Sequence, residues 1–343
     1  FAIFFGTRCH TIVTRIQIRR RFLLTYDRRS KATRSLTFVP YHLSDIVMIK
    51  RNSALTLWHF LLVMLTVTIL GTMAPPTQAS ENFFQPKFSN CRSHFAGGEP
   101  PRMDLSKLPG RLRELCFEAF AVLHAGQSKT PVWVAQRIDP DDLARALKVQ
   151  RSGRFYPEAR LPSADRAKLE DYQGSGWDRG HMAPAGDMPS EAAMAQSFSL
   201  ANMVPQAPEL NRGVWADYEK ATRRYVRRVG HAVYVMTGPV YHHAREHLNA
   251  MSSPSKSSPG PRSIGQSAVW VPDAVFKLVY DPTEQRAWAY WAENRNDTKA
   301  AEPISLRSLR QRLNHQWLPQ VSNEELLNSI DVGVDEQSRR FKN

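Results

Sequence analysis

Residues 176–188 read GWDRGHMAPAGDM, and they place Asp178, Arg179 and His181 within four positions. Two readings are open for such a stretch: a polar surface turn, or a catalytic histidine beside a phosphate-binding arginine. Hydrolysis of a phosphodiester needs the second kind of arrangement. Water must lose a proton to a base, and imidazole titrates near neutrality. The phosphate must be held, and a guanidinium fork matches two of its oxygens. Charge that develops on the phosphate and on the leaving oxygen must be stabilised. Mg²⁺ keeps most of its waters and takes few protein ligands, so one amide oxygen and one nearby carboxylate suffice.

Thirty residues beyond His181 stand Asn211, Trp215 and Glu219, spaced by four. On a helix they form one stripe, with Asn211 offering an oxygen ligand and Glu219 able to hold metal-bound water. Asn202 and Gln206 lie between the two halves and could hydrogen-bond to the site. Taken singly, each member has an ordinary reading: Trp215 as core, Asn211 as a helix cap, Glu219 as a solvated acid. Arg223, Arg224, Arg227 and Arg228 follow, stacked in pairs at 223/227 and 224/228. They either track a nucleic-acid backbone, sequence-blind and salt-dependent, or form a solvated face near a helix C-terminus. One further pattern, His243-Ala244-Arg245-Glu246-His247, fits the H-x-x-E-H of inverted zinc peptidases. Zinc would require both histidines on a helix and a third ligand elsewhere, so this is a minor alternative.

The elements that must position these residues alternate without a regular βαβ rhythm. Leucine and phenylalanine spacing predicts a helix over 108–125. TPVWVAQRI (130–138) reads as a strand. Asp139-Pro140-Asp141-Asp142 opens a short helix through Leu147, with acids at its N-terminus. Residues 151–176 read as a polar loop or short helical stretch. A helix over 190–200, a turn at NMVPQAPEL, a long helix over 211–229 and a strand over 231–241 follow. Residues 249–263 are Ser/Pro/Gly-rich and read as a surface insertion. AVWVPDAVFKLVYD and AWAYWAE predict two strands joined by a turn at Asp281-Pro282, with a last helix over 305–315. Helices and strands mixed in this way make the class α+β.

DRGHMAPAGDM followed by SLANMVPQAPELNRGVWADYE resembles the DNA/RNA non-specific endonucleases, the Serratia nuclease and endonuclease G family. VYVMTGPVY and the VWVPDAVFKLVYD region agree further, and the resemblance covers roughly 130–320. It implies a ββα-metal (His-Me finger) fold with a mixed, mostly antiparallel sheet and helices. It implies that His181 is the general base, Asn211 the direct Mg²⁺ ligand, and Glu219 the holder of the metal's water shell. Mn²⁺ or another divalent ion would also serve, and no small-molecule cofactor is expected. Arg179 contacts phosphate, and Asn202 supports the histidine and substrate region. A second arginine upstream stabilises the transition state; Arg154 is the best match and Arg160 its competitor. Gln206, Arg223 and Arg227 complete the expected nucleic-acid contacts. The expected substrates are DNA and RNA, the products carry 5′-phosphate and 3′-hydroxyl ends, and a homodimer is compatible. The rival is a non-catalytic nucleic-acid-binding or uptake protein, against which stands the full set of matched residues.

Bulk composition adds less. The chain has 343 residues, 42% hydrophobic, with net charge +14. Of that charge +9 falls in residues 1–79, so overall basicity says little about the folded part. Residues 1–47 show no periodicity and are expected to be upstream sequence, with translation starting at Met48. Ile49-Lys50-Arg51, the uncharged run 54–70 and a small-residue end at Ala79 have the layout of a secretory signal over 48–79. The rival is an uncleaved anchor at 54–70, with membrane association and 1–47 as a basic cytoplasmic tail. Both readings place the enzyme in the periplasm or outside the cell. The remaining divisions are a lead-in over 80–129, the endonuclease domain over 130–320 and a tail over 321–343. Cys91 and Cys116 could form one disulfide in an oxidising compartment; otherwise they are small buried hydrophobes.

Overall fold

A computed structural model describes residues 83–242 and 261–323. The segments 1–47, 48–79, most of 249–263, the His243–His247 pattern and all but the start of 321–343 lie outside the described residues. In chain order the strands are β1 (Phe83–Phe84), β2 (Met103–Asp104), β3 (Leu112–Cys116), β4 (Ala121–Ala125), β5 (Thr130–Ile138), β6 (Asp178–His181), β7 (Met203–Gln206), β8 (Val233–Val240), β9 (Ser263–Ile264), β10 (Val269–Trp270), β11 (Ala274–Asp281), β12 (Arg286–Glu293) and β13 (Ile304–Ser305). The α-helices are α1 (Pro140–Ala146), α2 (Leu169–Tyr172), α3 (Glu191–Ser197), α4 (Pro208–Arg212), α5 (Val214–Val229) and α6 (Leu306–Leu313).

Seven strands form one antiparallel sheet in the order β13-β12-β11-β8-β5-β4-β3. Its central strands are rich in β-branched and aromatic residues and are covered on both faces, so they read as continuous apolar runs. Val122, Val134, Val235, Val275 and Val279 face α3, α5 and the β6–β7 ribbon. The alternate residues Leu123, Trp133, Met236, Phe276 and Leu278 face Phe88, Phe95, α6 and Trp317. Period-two alternation thus sorts each strand between two cores.

Four expectations are corrected. The helix over 108–125 is the β3–β4 hairpin, closed by Phe117 N–H donating to the Phe120 carbonyl. Its apolar residues mimic a helical stripe because β4 is buried on both faces. The lead-in over 80–129 is not separate from the domain: β3 and β4 pair into the central sheet, and Cys91 is disulfide-bonded to Cys116 at the end of β3. The NMVPQAPEL turn contains strand β7, which pairs only with β6; a two-stranded ribbon tolerates Pro205. The single helix over 211–229 is broken at Gly213, so Asn211 belongs to α4 while Trp215 and Glu219 belong to α5. A Cβ at Gly213 would lie 2.7 Å from the Glu209 carbonyl oxygen, so the break needs glycine.

Helix α5 then runs from Val214 to a left-handed Gly230 and buries Trp215, Tyr218, Thr222, Tyr225 and Val226 on one face. The ribbon β6–β7 followed by α4 and α5 is the unit that carries the site.

Candidate active site

Strand β6 is the DRGH stretch itself, in register with β7: Asp178 opposite Gln206 and His181 opposite Met203. His181 is 9% exposed, and its Nε2 is buried without a hydrogen-bond partner. Its ring meets Phe198 edge-on at 5.1 Å and lies 5.8 Å from Phe155. Burial pushes the imidazole down to about 3, and the charge of Arg151 acts in the same direction. The ring is therefore neutral near pH 7 in the empty site.

Asp178, at the start of β6, clamps α4. It accepts from Arg212 Nε at 2.9 Å and Nη2 at 2.7 Å, and from Asn211 Nδ2 at 2.9 Å. A carboxylate at neutral pH only accepts, so the Asn211 amide must turn its NH₂ toward Asp178 and its Oδ1 away. Nothing among the described residues donates to that oxygen. One residue of the DRGH stretch thus orients an amide oxygen contributed from 33 residues later.

Glu219 lies one helical break further on, half-buried. Burial pushes its carboxyl up to about 7; Lys277 opposes that rise, Asp187 adds to it, and Arg223 and Arg151 oppose it. Lys277 was not singled out from the sequence. It is 1% exposed in β11, donates from Nζ to Thr237 Oγ1 at 2.9 Å, and lies 5.5 Å from the Trp215 ring centroid. Its only sequence signal is a charge in the middle of the apolar strand AVFKLVYD, on the face that alternation turns toward α5.

The arginines separate by what already holds them. Arg179 stacks over Phe155 at 4.2 Å. Arg160 forks onto Glu158 with Nε at 2.7 Å and Nη2 at 3.0 Å, and donates to the Cys116 carbonyl. It is committed to a structural pair. Arg154 is exposed. Arg151, unremarked in the sequence because it lies in irregular chain, stacks 5.2 Å over Phe198, the ring that meets His181. Its charge is felt by both His181 and Glu219.

Three further expected contacts are corrected. Gln206 is fully buried and packed against Gly180, where any Cβ would collide with it. It cannot meet nucleic acid. Arg223 is bound to the buried Asp187 at 2.8 Å rather than presented to solvent. Asn202 is fully buried; its Oδ1 accepts from Ala183 N–H and its Nδ2 donates to the Ala183 and Ser197 carbonyls. With its amide satisfied by main-chain groups, Asn202 holds the chain after His181. Arg227 is exposed on α5.

Residues 104–315 match the family model for DNA/RNA non-specific endonuclease. The mitochondrial nuclease of Saccharomyces cerevisiae is 31% identical over 278 residues, 79% of this chain and 75% of the relative. Nuclease C1 of Cunninghamella echinulata var. echinulata is 33% identical over 54% of this chain and 71% of its own length. The mitochondrial endonuclease G of Bos taurus is 32% identical, covering 54% and 59%. A solved EndoG/EndoGI complex aligns with TM-score 0.54 and 26% identity over 65% of this chain and 91% of that one. These relatives overturn the periplasmic or secreted expectation, because those from yeast and cattle are mitochondrial nucleases. A basic segment followed by an apolar run does not by itself distinguish export from other targeting. With the ββα arrangement, the DRGH strand and these matches together, the chain belongs to the DNA/RNA non-specific endonuclease family and is an endonuclease.

Proposed function

We propose that this protein hydrolyses phosphodiester bonds in DNA and RNA with a divalent cation, Mg²⁺ or Mn²⁺, held through Asn211 Oδ1. The donor set fits such an ion: an amide oxygen without a protein donor, and a half-buried carboxylate at Glu219 that would hold the water shell. A divalent cation bound there would neutralise charge on the phosphate and on the leaving oxygen. His181, neutral and unpartnered at Nε2, takes the proton from the attacking water. Asn202 holds the turn that follows His181, and Asp178 holds Asn211. Arg179 and Arg151, each stacked on a phenylalanine beside His181, present guanidinium groups to the phosphate. Arg151 replaces Arg154 and Arg160 as the upstream arginine.

The observation that carries this reading is the hydrogen bond from Asn211 to Asp178, because it ties the metal-ligand helix to the histidine strand. The contacts named are to phosphate and metal and none is to a base edge, which suits sequence-blind cutting. The names of the yeast and bovine relatives support a mitochondrial site of action. Nicking of supercoiled plasmid and cutting of a structured RNA with Mg²⁺ test the reading. Wild type should cut both and leave 5′-phosphate ends, and His181→Ala should cut neither. Unchanged cutting by His181→Ala would sink the histidine-base assignment.

A further inference from the structure

A recess of about 290 Å³ opens between α2 and β6, lined by Glu170, Tyr172, Gln173, Trp177 and Arg179 among others. Of the lining residues, only Asp178, which also lines it, and Arg179 have a part in the mechanism above. The volume is near the low end of the roughly 300–1,000 Å³ of small-ligand sites, suited to one nucleotide. Tyr172 lines the recess at 5% exposure, and its buried hydroxyl has no hydrogen-bond partner. The Tyr172 side chain is thereby a fixed wall of the recess, packed from behind by Leu200, Met203 and Val269.

The recess also continues a pattern that starts at the reacting histidine. Arg151 stacks over Phe198, Arg179 over Phe155, and Arg262 lies 5.5 Å from the Trp177 ring centroid. The two phenylalanines flank His181; the third pair extends the series past Arg179 to the recess. Arg262 is placed by its carbonyl, which accepts from Val271 N–H at 2.7 Å, and by the neighbouring turn, where Asp171 accepts from Ser267 N–H. Cations interleaved with aromatic rings characterise grooves for single-stranded nucleic acid, where bases stack and phosphates are neutralised.

We propose that this recess is a subsite for one unpaired nucleotide flanking the scissile phosphate, its base stacked on Trp177 and its phosphate facing Arg262. Glu170 repels phosphate, so with Gln173 it meets the base edge or sugar hydroxyl. A paired base is covered by its neighbours and reaches the recess only after leaving the stack. The proposal rests on the assignment of His181 as the cutting centre.

The test uses the full-length His181→Ala protein and short oligonucleotides carrying the fluorescent base 2-aminopurine at successive positions, single-stranded or in a duplex. Stacking quenches this base. The expected result is quenching at one position of the single strand, loss of that quenching in His181→Ala/Trp177→Leu, and its partial return with Trp177→Phe. Single-strand affinity should fall roughly tenfold or more with Trp177→Leu, the loss of one base–aromatic stack, while duplex affinity changes less than twofold. Arg262→Ala, at the surface, should weaken single-strand binding without a change in melting temperature. Quenching that persists in Trp177→Leu, or equal losses on single strand and duplex, would overturn the subsite. Wild-type cutting is measured in parallel: if it is absent, the cutting centre itself has failed, and if it is present with Trp177-independent quenching, only the subsite has.

Discussion

The two faces of the central sheet are built from the same strands and do opposite work. On one face Phe276, Leu278, Trp133 and Met236 pack against Phe88, Phe95 and Trp317 in an apolar layer, tied at its margin by the Cys91–Cys116 disulfide. On the other, Lys277 stands between Phe276 and Leu278 in sequence and is buried toward Trp215 and Glu219. That face also carries His181 with an unpartnered nitrogen. Buried polar groups cost stability unless paired, so the site face draws on the apolar face for its rigidity. Stability and chemistry should therefore be separable by mutation.

The sharpest break comes from His181→Ala. Cutting should drop by roughly 10²- to 10⁴-fold, the usual worth of a positioned general base, with the melting temperature unchanged. Phe276→Ala on the opposite face should do the reverse. It should lose about 3–5 kcal/mol of stability by chemical denaturation, with the cutting rate of the folded fraction kept within a fewfold. Reduction, or Cys91→Ser, should cost about 2–4 kcal/mol and again spare the cutting rate. If the last two changes abolish cutting in protein that is still folded, the faces are not separable.

A smaller effect distinguishes two groups within the site face by pH. Glu219 is pushed up to about 7 from an ordinary 4.5, so the metal-free folded state keeps its proton where the unfolded state has lost it. That contribution is full below about 4.5 and is lost as pH rises through about 7. His181 is pushed down to about 3 from 6.5, so its contribution is present above about 6.5 and is lost as pH falls toward 3. In urea titrations without metal, Glu219→Gln should gain on wild type as pH rises through 4.5–7. His181→Ala should gain on wild type as pH falls below 6.5. Parallel curves for all three proteins would contradict both burial arguments.

The family was legible because the residue types that carry it are scarce and closely spaced. DRGH, Asn211 and Glu219 stand out in one chain segment, and the fold class followed from the mixed rhythm of elements. What escaped depended on tertiary packing. Strands β3 and β4 passed for a helix because burial of β4 on both faces erases its alternation. The break between α4 and α5 is set by an approach to the Glu209 carbonyl that only Gly213 permits. Lys277 gains meaning only once α5 lies over β11, and Arg151 sits in irregular chain where no period marks it. Gln206 and Arg223 have residue types suited to nucleic acid, yet Gly180 and Asp187 take them inward.

The central claim is that the site consists of two halves, a histidine strand and a metal-ligand helix joined through Asp178. Mn²⁺ binding, read by electron paramagnetic resonance, and plasmid cutting, measured together on wild type, His181→Ala, Asn211→Ala and Asp178→Asn, test it most directly. The account predicts that His181→Ala binds Mn²⁺ as wild type does and fails to cut. It predicts that Asn211→Ala loses both, and that Asp178→Asn binds the ion roughly 10- to 100-fold more weakly, as expected when a ligand loses its orienting partner. Wild-type Mn²⁺ affinity and cutting in Asn211→Ala would contradict it.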